Sequence, residues 1–143
     1  MLRKISIIDK SAVKYRSEKF KTIGLYGSDH PYILCVNRFP GISQDEISMR
    51  VIVNKSNTTR TLSRLEEDGF IIRKTNDTDK RILNVELTSK SKDIIPEILE
   101  INNSLEEYLF SDFTDEEKQI FSDLLDKIYK KSVEYATKDW RKK

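Results

Sequence analysis

A chain of 143 residues with 37% hydrophobic and 35% charged side chains has enough apolar residues for one domain with a core. Its formal net charge of +2 neither requires nor excludes a polyanionic partner. No apolar run approaches the roughly 18 residues of a membrane span, and charges interrupt the apolar patch near the start too soon for a signal peptide. We therefore expect a cytoplasmic protein without a membrane partner.

Residue types that carry chemistry are scarce. The single Cys35 has no disulfide partner in the chain, and together with the single His30 it cannot supply the four side-chain ligands of a structural zinc site. The sequence shows no nucleophile paired with a base and no glycine-rich phosphate loop. We expect neither an enzyme nor a protein that needs a metal or another cofactor.

Charge is distributed unevenly along the chain. Between Ile47 and Leu65 there are four basic residues and no acid, whereas between Asp93 and Asp126 there are eleven acids and one lysine. Local charge decides which surface attracts a polyanion, so the middle of the chain is the part that would meet one.

The first elements predicted along the chain are helices. Apolar residues spaced among charged ones predict a helix over residues 9–25. A cap at Ser28 or Asp29 predicts a short buried helix that ends before Pro40.

A pair of short helices follows. The segment "SQDE", from Ser43 to Glu46, has the form of a capping box, in which hydroxyl and carboxylate satisfy each other's free backbone N–H groups. A tight corner near Asn54 then leads into a helix over residues 55–68, for which Gly69 supplies the C-cap.

The rest of the chain reads as a hairpin and two helices. Strand-like runs at residues 71–72 and 82–87 predict the hairpin, Thr88 caps a long helix, and a second capping box at Thr114 starts the last one. A two-stranded hairpin is marginal alone and has to lean on helices. This order of elements is that of a winged helix-turn-helix.

The helix over residues 55–68 would bury a stripe formed by Thr58, Leu62 and Leu65. Its other face is polar and basic, which suits a DNA major groove because hydroxyl and amide groups read base edges and cations hold phosphates. A solvated helix face has the same pattern. The base-side candidates are Ser56, Asn57, Thr59 and Arg60, and the phosphate-side candidates are Lys55 and Arg64.

Charge at the hairpin tip fits a DNA-binding wing. Arg81 would reach the minor groove, whose negative potential favours a guanidinium group. Asp79, two positions earlier, can hold that guanidinium through a charge-assisted hydrogen bond, whereas Asp77 with Asn76 can simply build the turn. The remaining DNA-binding candidates in the hairpin are Arg73 and Lys80.

The stretch from Pro40 to Ile94 resembles the core of the multiple antibiotic resistance regulator (MarR) family of transcription factors. The matching pieces are the capped start at Ser43, "Leu-Glu-x-x-Gly-Phe-Ile" from Leu65, the wing motif "Asp-x-Arg" from Asp79, and "Leu-Thr" at Leu87. The segment "ISMRVIV" departs from the small-residue helix that is more usual in the family.

The resemblance implies a mainly α fold with a small β-hairpin, a winged helix-turn-helix with N- and C-terminal dimerisation helices. Residues 1–27 would form the N-terminal dimerisation helix, residues 28–88 the DNA-binding lobe, and residues 89–143 the C-terminal dimerisation helices of a single folding unit. The implied function is that of a homodimeric repressor on double-stranded DNA, with half-sites of a pseudo-palindromic operator roughly 34 Å apart. Candidates for the interface or core are Leu99, Leu105, Tyr108, Leu109, Phe121, Leu125 and Tyr129.

Family members often release DNA when a small phenolic or anionic effector binds between the dimerisation helices and the DNA-binding lobe. The front segments carry residues that would border such a crevice, although aromatic side chains also serve as ordinary core. These effector-binding candidates are Tyr15, Arg16, Tyr26, His30 and Tyr32.

Two alternatives remain open from the sequence. One is a redox-sensing regulator of the same fold that uses Cys35 as its thiol, although a cysteine in the apolar run "YILCV" is commonly an inert small hydrophobe. The other is a winged-helix interaction module without DNA contacts, which would carry acidic or apolar side chains on the face of residues 55–64.

Overall fold

The computed structural model describes residues 1–140 and confirms the mainly α, winged helix-turn-helix fold. None of the helices in this range combines the length and apolar character needed to cross a bilayer. The elements are α1 (Leu2–Lys19), a 3₁₀ turn (Phe20–Ile23), α2 (His30–Arg38), β1 (Ile42–Ser43), α3 (Gln44–Arg50), α4 (Lys55–Glu67), β2 (Ile71–Thr75), β3 (Leu83–Leu87), α5 (Ser89–Leu109) and α6 (Asp115–Ala136).

The chain divides into two compact units, Met1–Leu105 and Glu106–Lys143. The first holds the main core, in which residues from α2, α3, α4, the sheet and α5 pack together. Burial of these apolar side chains is the main stabilising contribution. The fully buried members of this core include Phe20, Ile33, Ile47, Leu62, Leu65, Phe70, Val85 and Ile98.

The first helix is longer at its start than predicted. It begins at Leu2, well before residue 9, and after Lys19 the backbone tightens into the 3₁₀ turn. Gly24 ends that turn at φ 77°, a left-handed conformation that glycine adopts without a Cβ penalty. Ile5, Ile7 and other apolar residues near the start are exposed in the single chain.

Local capping signals place most of the other helix starts. The Asn54 and Thr114 side chains accept hydrogen bonds from backbone N–H groups in the first turns of α4 and α6, and the capping box at Thr114 is complete. At α3 only one of the two hydrogen bonds of the capping box is present. The Ser43 hydroxyl accepts from the Glu46 N–H at 3.2 Å, but the Glu46 carboxylate pairs with Arg50 at 3.1 Å.

The predicted hairpin is present as β2 and β3, and the short β1, which was not predicted, adds a third strand to the sheet. The order is β1-β3-β2, with both neighbours antiparallel, and the two-residue β1 pairs Ile42 with Val85 and Ser43 with Asn84. The Asn84 side chain also donates to the Gly41 carbonyl at 2.8 Å. These bonds fasten the wing to the chain segment immediately before α3.

A buried carboxylate ties α4 to the loop between the 3₁₀ turn and α2. The Asp29 side chain is 1% exposed, accepts a hydrogen bond from the Tyr26 N–H at 2.7 Å, and pairs with Arg64 of α4. Asp29 was expected as a possible capping residue, but its side chain makes no cap hydrogen bond. Instead it holds the C-terminal half of α4.

We predict that Asp29→Ala lowers the free energy of unfolding by about 2 to 4 kcal/mol, because removing one partner of a buried pair leaves the other charge and a backbone donor unsatisfied. Asp45→Ala is the matched control, since Asp45 pairs with Lys55 through side chains that are 70% and 65% exposed. Such exposed pairs contribute at most about 1 kcal/mol. Urea titration of both variants measures the difference, and equal losses would contradict the role given to Asp29.

Candidate nucleic-acid interface

The helix α4 presents one polar face to solvent, as its apolar spacing predicts. Thr58, Leu62 and Leu65 are buried, and the Asn54 side chain fixes the start of the helix through the Asn57 N–H at 2.8 Å. The exposed side chains on this face are Lys55, Ser56, Asn57, Thr59 and Arg60. They combine hydroxyl, amide and cationic groups, which are the groups that bind base edges and phosphates.

Lys55 is the one cation of this exposed set that pairs with an acid. Its Nζ lies 3.0 Å from an Asp45 carboxylate oxygen, and both side chains are largely exposed. A pair of this kind is weak and screened by salt. A phosphate group could therefore replace Asp45 as the partner of Lys55 at little cost.

Arg64 was expected to lie largely in solvent and hold phosphate, and that expectation of exposure is wrong. Its side chain is 25% exposed, with one terminal nitrogen paired to buried Asp29. The other terminal nitrogen approaches Asp68 at 3.5 Å without hydrogen-bond geometry. The guanidinium also stacks on the Tyr26 ring at 4.0 Å from its centroid. Arg64 therefore works as a structural tie.

Arg73 is likewise enclosed rather than free on the surface, with 16% of its side chain exposed. Its Nε and Nη2 donate to one oxygen of Glu66 at 3.0 and 2.8 Å, and its backbone N–H donates to the other at 2.8 Å. These hydrogen bonds lower the pKa of the Glu66 carboxyl. Two further bonds reach Ser63 and Gln44, so Arg73 joins the wing to α4 and α3.

Gln44 is a residue of this surface that the sequence analysis did not single out. Its amide oxygen accepts from Arg73 Nη1 at 3.2 Å, and its amide nitrogen donates to Thr59 Oγ1 at 2.8 Å. The bridge spans positions 44, 59 and 73, and local spacing carries no signal for contacts so far apart in the sequence.

The tip of the wing has the geometry that the sequence predicts. Arg81 Nε and Nη2 donate to the two oxygens of Asp79, each at 3.0 Å, and the Arg81 N–H also donates to this carboxylate at 3.0 Å. These bonds lower the pKa of Asp79 and raise the pKa of Arg81. The Arg81 side chain is nonetheless 89% exposed. A fixed and accessible guanidinium therefore projects from the wing.

Asn76 builds the turn that carries this pair. Its side-chain oxygen accepts from the Thr78 and Asp79 N–H groups at 3.0 and 3.1 Å, and its nitrogen donates to Asn84 at 2.9 Å. Lys80 and Asp77 lie exposed at the same tip. The turn-building role expected of Asp77 together with Asn76 is thus carried out by the Asn76 side chain.

Among the front-segment candidates, the structure brings Arg16 and His30 together. Burial and the nearby Arg16 charge lower the pKa of His30 to about 4, against a smaller opposing influence of the Gly27 backbone. The buried His30 Nδ1 has no partner at full hydrogen-bond geometry, although the Gly27 backbone lies close enough to His30 to raise its pKa. Arg16 Nε donates to the Gly27 carbonyl at 3.0 Å, and burial lowers the pKa of Arg16. Arg16 and His30 are thus two partly buried polar side chains beside the loop that precedes α2.

The three tyrosine candidates have other environments. Tyr32 is 5% exposed within the core, Tyr26 lies against Arg64, and the Tyr15 ring has the Lys19 ammonium 5.7 Å from its centroid. Core packing and cation contacts therefore account for these rings.

Cys35 is half-buried on α2, and burial raises the pKa of its thiol despite the opposing charge of Arg50. A thiol with a raised pKa is a poor nucleophile at neutral pH. Within residues 1–140, no three His, Cys, Asp or Glu side chains cluster closely enough to hold a metal ion.

The second unit exposes an apolar stripe along α6. Its members recur at helical spacing, so they line one side of the helix. The Phe121 ring also packs edge-on against Phe110 at 5.4 Å and lies 6.1 Å from Phe113. A surface groove of about 560 Å³ lies further along α6 and is lined by Lys127, Ile128, Lys131, Ser132 and Tyr135. The stripe itself consists of Ile120, Phe121, Leu124, Leu125, Ile128 and Tyr129, all at least 40% exposed.

Comparison with known proteins gives consistent matches. The MarR family model matches residues 29–83. The uncharacterized HTH-type transcriptional regulator YwoH of Bacillus subtilis (strain 168) is 32% identical over 124 residues, which cover 87% of this chain and 90% of that protein.

Solved structures agree in fold. A crystal structure of MarR is 31% identical, with a TM-score of 0.88 and coverage of 96% of this chain and 94% of that one. A MarR protein from Peptoclostridium difficile DA00132 is 30% identical, with a TM-score of 0.91 and coverage of 96% and 90%. With these identities over nearly the full length, the chain belongs to the MarR family of transcriptional regulators.

Proposed function

We propose that this regulator represses transcription as a homodimer that binds a pseudo-palindromic operator in double-stranded DNA. The observation that carries the proposal is the pairing of two exposed features, the acid-free polar face of α4 and the oriented Arg81 of the wing. A helix face and a wing of this chemistry fit a major groove and its flanking minor groove.

The proposed contacts divide by chemistry. Ser56, Asn57, Thr59 and Arg60 face base edges, where polar and apolar contacts of their side chains give sequence preference. Lys55 and Lys80 face phosphates, where they add affinity that falls with salt. Support for this division comes from their exposure on α4 and on the wing tip. The acidic or apolar face expected of a protein-interaction module is absent from this part of α4.

Arg64 and Arg73 take a different part in the proposal from the one expected. Their charges are used by Asp29 and Glu66, so neither is assigned a DNA contact. Both act as positioning residues, since they hold α4 and β2 in the orientation that presents the contacting side chains.

Dimerisation is supported by the exposed apolar stripe of α6. Contiguous apolar area of this kind is rare on a monomeric protein and is typical of an interface. A two-fold dimer also matches a pseudo-palindromic site, because each copy of α4 can then meet an equivalent half-site.

A small aromatic anion is proposed as the effector that relieves repression. The supporting observation is the partly buried pair of Arg16, a cation, and neutral His30, whose Nδ1 atom is buried. A carboxylate or phenolate could bind both groups, and the loop from Gly24 to Asp29 links this pair to Arg64 of α4. Redox control through Cys35 is less well supported, because burial disfavours its thiolate.

Arg81→Ala should raise the Kd for the operator by about fivefold or more, since each protomer loses the guanidinium proposed to enter the minor groove. Dimerisation should be unchanged. Fluorescence anisotropy with labelled duplex measures the Kd. Lys92→Ala, which removes the same charge from an exposed position on α5, is the control, and an equal effect of both variants would refute the role of the wing.

Leu124→Glu combined with Ile128→Glu should convert the dimer to monomer, because two carboxylates would be buried in the apolar interface. Both side chains are exposed in the single chain, at 53% and 43%, so the fold itself should tolerate the change. Analytical ultracentrifugation measures the state, with Ser122→Glu on the same helix as the control. A dimer that survives the double substitution would place the interface elsewhere.

Benzoate, used as a probe for an aromatic anion, should release the wild-type protein from DNA at a concentration about tenfold below that needed for Arg16→Gln. The factor follows from losing one charge-assisted hydrogen bond of about 1.5 kcal/mol. Lys14→Gln, an exposed position on α1, controls for net charge. Equal release concentrations for all three proteins would exclude Arg16 as an anion contact.

A further inference from the structure

The Thr59 hydroxyl both donates and accepts a hydrogen bond within the protein. Oγ1 donates its proton to the Lys55 carbonyl at 2.8 Å and accepts the Gln44 amide at 2.8 Å. A hydroxyl has one proton and two lone pairs, so a single acceptor site is left on this oxygen. Thr59 is therefore unable to donate a hydrogen bond to a base without breaking a bond it already makes.

The Gln44 amide cannot easily turn away to release Thr59. Its oxygen accepts from Arg73 Nη1 at 3.2 Å, which fixes the nitrogen end of the amide toward Thr59. Arg73 is in turn held by Glu66 and Ser63 at 2.8 and 3.1 Å. A chain of hydrogen bonds thus runs from the wing to the exposed face of α4 and holds the Thr59 hydroxyl against the protein.

What remains for a ligand on the outer side of Thr59 is its methyl group. The oxygen branch of the side chain is turned to α3 and to the preceding turn of α4, so the second branch at Cβ is the one left to solvent. In a major groove, the apolar group that complements a threonine methyl is the C5-methyl of thymine.

We propose that Thr59 is a specificity-determining residue that selects thymine through methyl-to-methyl contact and not through a hydrogen bond. The inference rests on the proposed function, because it assigns a base preference to the α4 face already placed in the major groove. An acceptor role for the remaining lone pair would instead select the amino groups of adenine or cytosine.

The test starts from duplexes that the full-length protein selects out of random DNA. Each thymine of the selected half-sites is then replaced by deoxyuridine, in both half-sites at once, which removes only the C5-methyl group. At one position per half-site, the wild type should lose about fourfold in affinity for each half-site, as expected for one buried methyl group.

Two variants distinguish the methyl from the hydroxyl of Thr59. Thr59→Ser keeps the oxygen and removes the methyl, and it should bind thymine and deoxyuridine duplexes equally at that position. Thr59→Val keeps the methyl and removes the oxygen, and it should retain the roughly fourfold preference for thymine. Thermal melting checks that both variants fold, which their exposed position favours.

The outcomes separate this inference from the proposed function. Selected half-sites without thymine, a wild type that ignores deoxyuridine, or a Thr59→Ser variant as sensitive as the wild type would each overturn the methyl contact while leaving DNA binding in place. Failure of the wild type to select any duplex would overturn the proposed function itself, and this inference with it.

Discussion

Two guanidinium groups, each paired with a carboxylate, hold α4 against its neighbours. Arg64 reaches back to buried Asp29, and Arg73 reaches across from β2 to Glu66, so the helix is fixed from both of its neighbours. An arginine fork bound by a carboxylate gives direction as well as attraction, because the planar donors define an angle. Apolar burial of Leu62 and Leu65 stabilises the helix and selects the face that is turned to the core.

The three arginines near this surface therefore have different roles. Arg81 is oriented by Asp79 but remains exposed, whereas Arg64 and Arg73 are largely enclosed and form ion pairs within the protein. The carboxylates of Asp29, Glu66 and Asp79 are each paired with one of these arginines. Their negative charge is therefore compensated, so they need not repel a polyanion near α4 and the wing. Net charge alone could not have distinguished the exposed Arg81 from the enclosed Arg64 and Arg73.

Local sequence signals predicted what local contacts determine. The cap at Thr114, the buried stripe of α4 and the Asp79 hold on Arg81 all involve residues within a few positions of each other. What the sequence could not reveal were partners far apart, such as Asp29 with Arg64 or Ile42 with Val85. The two-residue β1 reads as a loop, and only its pairing with β3 makes it a strand. For the same reason helical periodicity left Arg64 among the solvent-facing residues, and the partners of Arg73 were not predicted.

The strand order has a consequence for the behaviour of the protein at high concentration. β3 is paired on both sides, so β2 is left as the outer strand of the wing. An open outer strand is a template onto which a strand of another molecule can add. Here Lys74, paired with Glu86 at 3.0 Å, puts a solvated charge on that edge, and the strand is only five residues long. Charge and shortness protect this wing against edge-to-edge aggregation.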